Sequence, residues 1–195
     1  MPRFSEEEKR SIREDLLAKG EQLFAQHGLK KVTVDDLTKE VAIAKGSFYA
    51  FYKNKEHLYV EILFLIGNRV LADTEVFLEE NSSLEAKELV KRLIMWSFDE
   101  MEENPILMQQ DLEIRTHLIR KLSQETLDHY PDIDVEGAKM LVEHGIKFKH
   151  ETEIIGKTFQ ALSIVFDGMH GYEAEKKKAV MEILINGVLN EIVED

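Results

Sequence analysis

Apolar residues recur along this chain at helical rather than alternating spacing. Between Glu6 and Gln26, Ile12, Leu16, Leu17, Leu23 and Phe24 stand among charges. That stripe predicts an amphipathic helix, and His27-Gly28 supplies its stop. Thr33-Val34-Asp35-Asp36 offers an N-cap hydroxyl with a carboxylate three residues on, the pattern of a capping box, so a short second helix is expected to end near Val41. After small residues around Ala42-Ile43, a third helix is predicted from Lys45 to Tyr52, with Phe48 and either Phe51 or Tyr52 facing the first two.

A fourth helix is predicted from Asn54-Lys55-Glu56 past Val70 towards Leu78; Leu58 to Ile66 is apolar on most sides, broken by Glu61, and is therefore expected to be buried on several sides. Ser82-Ser83-Leu84-Glu85 reads as the capping box of a fifth helix running to about Glu103. Asn104-Pro105 opens a sixth that Tyr130-Pro131-Asp132 ends, and Asp132-Ile133-Asp134 reads as a turn with an N-cap before a weaker seventh, near Val135 to His144. The last two, about Glu153 to His170 and Glu173 to Val193, are joined by a turn containing Gly171. The expected fold class is all-α, with about nine helices.

Composition supports that class. The 195 residues contain 3 Pro and 10 Gly, too little punctuation for the many tight turns of a sandwich or barrel. With 0 Cys there is no disulfide, thiolate metal site or cysteine nucleophile, which fits a reducing cytoplasm. The charged first twenty residues hold no signal-peptide core, and no run approaches the roughly 20 apolar residues that span a bilayer, so no membrane partner is expected.

A net charge of −13 counts against nucleic acid when averaged over the chain, but the average conceals an asymmetry. Up to residue 60 there are 11 basic and 10 acidic residues; after it there are 14 and 28. Within the near-neutral head, Lys45, Lys53 and Lys55 lie in an acid-free stretch that an anion can approach.

That stretch belongs to the segment Thr33 to Tyr52, TVDDLTKEVAIAKGSFYAFY: a capped short helix, a small-residue turn and a second helix, which is helix-turn-helix spacing. A helix entering a major groove about 12 Å wide needs small residues at its leading end, and Ala44, Gly46 and Ser47 meet that need. Lys45 is placed for a guanine edge or a phosphate, Tyr49 offers a hydroxyl, Thr33 adds a hydroxyl and a helix N-terminus, and Lys55 is placed for a further phosphate. Tyr52 is read as core.

TVDDLTKEVAIAKGSFYAFYKNKEHLY resembles the DNA-binding segment of the TetR family of bacterial transcriptional regulators, over roughly Ser11 to Ile62. The resemblance implies an N-terminal three-helix DNA-binding domain, placed at residues 1–55, and a larger helical ligand-binding and dimerisation domain at 56–195. It also implies a homodimeric repressor of a palindromic operator, released by a small apolar or amphipathic effector. The sequence departs from the family at Ala50 and Phe51, where polar or aromatic groups commonly contact DNA. That departure keeps open an alternative: a helical small-molecule-binding or adaptor protein that has lost DNA recognition.

In the acidic remainder, Phe64, Trp96, Met101, Met108 and His117 are candidate lining for an effector cavity, since small-molecule sites combine apolar walls with few polar handles. Each also suits ordinary core packing. His117, His129, His144 and His150 lack the i, i+4 spacing of a metal-binding helix face, so no metal or other cofactor is expected, and no nucleophile elbow or phosphate-cradling glycine loop marks an enzyme. The last two helices carry more apolar faces than one core needs, and Gly156, Ala161, Gly168 and Gly187 permit close approach, which suggests a four-helix interface between two copies.

Overall fold

A computed structural model of the chain describes residues 4–109, 112–169 and 171–194. Among them the fold is all-α: α1 Glu6–Lys31, α2 Val34–Glu40, α3 Lys45–Phe48, α4 Lys55–Glu80, α5 Ala86–Glu103, α6 Leu112–Lys121, α7 Gln124–Asp128, α8 Ile133–Glu143, α9 Thr152–Gly168 and α10 Ala174–Ile192. Extended pairing among these residues is confined to one antiparallel bridge, Phe148 with Val193. The helices form two compact units, one running to Ile66 and including Asn104–His129, the other made of Gly67–Glu103 and the chain from Tyr130 onward.

In the first unit, Ser5 caps α1: its hydroxyl accepts from the Glu8 N–H at 3.2 Å while the Glu8 carboxylate accepts from the Ser5 N–H at 2.7 Å. The predicted stop at His27-Gly28 is a break rather than an end, because Gly28 takes φ +77° and the chain then makes a last turn to Lys31. Leu16, Phe24, Leu37, Phe48, Leu58 and Tyr59 are buried, with Phe24 edge-on to Tyr59 at 5.0 Å. Tyr52 is buried against Phe48, whereas Phe51 is half-buried beside Phe4, which decides between the two aromatics. Glu61 interrupts the apolar stretch of α4 and pairs with Arg13 at 2.5 Å, so the carboxylate is buried with a partner.

The sixth predicted helix is corrected. Asn104 does cap the segment, accepting from the Ile106 N–H at 3.1 Å, but a single 3-10 turn, Leu107–Gln109, follows, and α6 and α7 are separate helices. The Ser123 hydroxyl accepts from the Thr126 N–H at 3.2 Å, which ends one helix and caps the next.

The second unit has its own core, in which Leu93, Phe98, Leu141, Leu162, Phe166 and Ile185 are buried together and Phe98 stacks on Phe166 at 4.2 Å. Asp132 caps α8 as expected, accepting from the Asp134 N–H at 3.1 Å. Gly156 of α9 faces α8 so closely that an added Cβ would lie 2.6 Å from the Val135 Cα. That glycine is used inside the monomer, while Gly168 and Gly187 meet nothing. Ile154, Ile164 and Val165 of α9 and Val180, Ile183 and Leu184 of α10 are exposed. Among the described residues no helix is long and apolar enough to cross a membrane.

Candidate nucleic-acid interface

The capping box predicted at Thr33 is present. Its hydroxyl donates to Asp36 Oδ2 at 2.6 Å and accepts from the Asp36 N–H at 3.2 Å, and the Thr33 N–H donates to the same carboxylate at 2.9 Å. The Thr33 hydroxyl and then its backbone N–H hold the Asp36 carboxyl below its ordinary pKa. This fixes the start of α2. The turn after it takes Ala42 to φ 55°, and Ala44 N-caps α3 without a side-chain hydrogen bond.

Helix α3 is shorter than expected. After Phe48, tight turns carry the chain on, with the N–H of Ala50 donating to the Ser47 carbonyl at 3.1 Å and that of Phe51 to the Phe48 carbonyl at 2.9 Å. Phe48 anchors the segment inward. Ala44, Lys45, Gly46 and Tyr49 are exposed, Ser47 is partly so, and the space beside Gly46 is open. Six of the seven expected contact residues, Thr33 included, are therefore available at the surface.

Lys45 is held across the helix-turn-helix by Asp35, with Nζ at 2.7 Å from Oδ2, and this partner raises the pKa of the ammonium above its ordinary value. Both side chains are exposed, so the pair is weak in water and a phosphate can replace its carboxylate.

Lys55 is placed differently from the exposed residues of α3. Its Nζ donates to the backbone carbonyls of Val32 at 2.6 Å, Leu29 at 2.7 Å and Lys30 at 3.3 Å. An ammonium has three donors, and all are directed at the last turn of α1 rather than at solvent. Burial lowers its pKa. Lys55 thus seals the C-terminus of α1.

Sequence reasoning did not identify a second cationic source. Lys9, Arg10 and Arg13 of α1 line one surface groove with Phe4, Glu6, Ala50 and Phe51; Glu6 pairs with Lys9 and Glu61 with Arg13, so the positive charge beside Ala50 and Phe51 is only partly offset. The signal was the Lys9-Arg10 and Arg13 spacing, which places the three on neighbouring helix faces.

The five cavity candidates divide between the two units. Phe64, Met108 and His117 belong to the first unit, and Trp96 and Met101 to the second. His117 Nε2 lies 3.0 Å from the buried Glu56 Oε1, while Trp96 stacks on Phe77 at 5.4 Å and Met101 packs on the core. The second unit has a partly open cavity of about 110 Å³ between α4, α5, α8 and α9, walled by Val70, Leu93, Phe98, Leu141 and Phe159, with Thr74, Ser97, Ser163 and Asp134 as its polar groups. Helical spacing marks which side chains face inward, but not which inward face borders a void. Hydroxyls on otherwise apolar faces were the available clue. Among the described residues no three or more His, Cys, Asp or Glu converge as a metal site.

The head and the whole chain have recognisable relatives. Residues 16–62 match the family model described as bacterial regulatory proteins, tetR family. The HTH-type transcriptional repressor NemR of Escherichia coli is 43% identical over 51 residues, 26% of each chain. An uncharacterized HTH-type transcriptional regulator of Haemophilus influenzae is 24% identical over 102 residues, 51% of this chain and 52% of that one. The chain thus spans from about a quarter to about half the length of these curated relatives. A crystal structure of a TetR-family transcriptional regulator from Pectobacterium atrosepticum shares the fold, with a TM-score of 0.66, 15% identity, and 95% and 94% of the two chains covered. The fold and the head define a helix-turn-helix protein of the bacterial regulator class. Its N-terminal helices, over residues 16–62, carry the signature of the TetR family.

Proposed function

We propose that the protein is a DNA-binding transcriptional regulator, acting as a homodimeric repressor of a palindromic operator that a small effector releases. The observation that carries this reading is the surface built by the capped α2 and the anchored α3, where Lys45, Gly46, Ser47 and Tyr49 stand over a buried Phe48. Residues 1–55 are the proposed DNA-binding domain and 56–195 the ligand-binding and dimerisation domain. A DNA partner implies a cytoplasmic location and binding rather than catalysis.

Dimerisation is supported by the exposed apolar residues of α9 and α10, with Gly168 and Gly187 open beside them. Two recognition helices about 34 Å apart then require an inverted repeat. Helix α4 supplies residues to both compact units, its first half to one and its second to the other. It is the proposed route by which effector binding alters operator affinity, with a coupling of about 1–3 kcal/mol.

The test is titration of genomic fragments selected by footprinting, at rising salt. Specific binding that weakens with salt supports the reading, since phosphate contacts release counterions. The alternative, an adaptor that has lost DNA recognition, draws on Ala50, Phe51 and the committed ammonium of Lys55. A protein that binds a small molecule but no DNA at any salt would establish it.

A further inference from the structure

The cavity of the second unit offers hydrogen-bond acceptors without donors. Thr74 Oγ1 donates to the Val70 carbonyl at 2.8 Å, Ser97 Oγ to the Ile94 carbonyl at 2.8 Å and Ser163 Oγ to the Phe159 carbonyl at 3.2 Å. Each hydroxyl has one proton, and each directs it to a carbonyl of its own helix, leaving oxygen lone pairs as its remaining capacity. The fourth polar group, Asp134, is a carboxylate, an acceptor and not a donor, and one of its contacts is with the Gln160 amide at 3.2 Å. Among the described residues no Lys, Arg or His lines the cavity. The remaining wall is apolar, and the volume of about 110 Å³, which continues into open solvent, is on the scale of the ~150 Å³ that accommodates one benzene ring.

From this geometry we infer that the effector is a compact, largely apolar molecule, no larger than one ring, that donates hydrogen bonds through a hydroxyl or ammonium group. The inference rests on the proposed release by a small effector, places that effector in this cavity and gives it a chemical class. A donor group satisfies hydroxyl oxygens that an apolar ligand would leave facing hydrocarbon, whereas an anion would meet the Asp134 carboxylate and a ring of lone pairs. The three hydroxyls come from α4, α5 and α9 and the carboxylate from α8, so each of the four walls carries an acceptor.

The experiment titrates the full chain with phenol, benzylamine, fluorobenzene and benzoate, following calorimetry and amide shifts. These single-ring probes differ in being a neutral donor, a cationic donor, a non-donor and an anion. Phenol or benzylamine is expected to bind at least tenfold more tightly than fluorobenzene and benzoate. Asp134→Asn is expected to weaken benzylamine more than phenol if the ammonium is the natural donor, and Ser97→Ala to weaken phenol more if the hydroxyl is. Both changes are close to isosteric. Equal binding of fluorobenzene or benzoate overturns the donor inference and leaves the effector cavity standing. Donor-selective binding that leaves operator affinity unchanged supports the inference and overturns the effector reading. No binding by any probe overturns both.

Discussion

The ammonium of Lys55, at the start of α4, lies 2.6 Å from the carbonyl oxygen of Val32, just past the end of α1. One side chain thereby satisfies the carbonyls that a helix end leaves without partners, and it ties the first turn of α4 to the framework behind the helix-turn-helix.

Lys55→Met should therefore act on stability before it acts on DNA. Loss of charged hydrogen bonds to part-buried carbonyls is expected to cost about 1–3 kcal/mol, read as a lower urea midpoint. The slope of log affinity against log salt should stay unchanged among the folded molecules. A slope reduced by about one, with stability intact, would instead restore a direct phosphate contact.

Lys45→Ala should have the opposite signature. The Lys45–Asp35 pair is exposed, so stability is expected to stay close to unchanged, while operator affinity falls and the salt slope drops by about one. Asp35→Asn removes the competing carboxylate and is expected to strengthen binding. Fluorescence anisotropy across a salt series reads both.

Acid should weaken the fold through His57. Burial, reinforced by Lys53, lowers its pKa below the ordinary 6.5, so the folded state favours the neutral ring. In that window the unfolded chain binds more protons, and stability rises with pH. The contribution is present above about 6.5 and is lost as pH falls through the depressed folded value. Urea midpoints measured from pH 8 to pH 5 should fall, and fall less in His57→Gln.

Ile183 is 71% exposed on α10, and Ile183→Glu should leave helix content unchanged in circular dichroism while shifting sedimentation from dimer to monomer. An unchanged sedimentation coefficient would remove α10 from the proposed interface.

Gly156→Ala should destabilise by about 1–3 kcal/mol, because its Cβ would meet the Val135 backbone at 2.6 Å. Gly187→Ala, where nothing lies within 4 Å, should leave the monomer as stable or more so. Any effect of Gly187→Ala on assembly then reports on the partner.

Much of the head was legible in the sequence because its determinants are local. Thr33 and Asp36 are three residues apart, and a capping box needs nothing further away; Phe48 and the small residues of the turn likewise define α2 and α3 by spacing alone. The all-α class and the family resemblance followed from the same short-range patterns. What a side chain does at long range was not legible. Lys55 is 23 residues from the carbonyl it binds most closely and His117 is 61 residues from Glu56, so their partners exist only once the helices pack. The cavity is the extreme case: its walls come from four helices, and its acceptor-only character depends on where three hydroxyl protons point. Local patterning decides which face of a helix turns inward, whereas only the packing of several helices decides where those faces fail to meet.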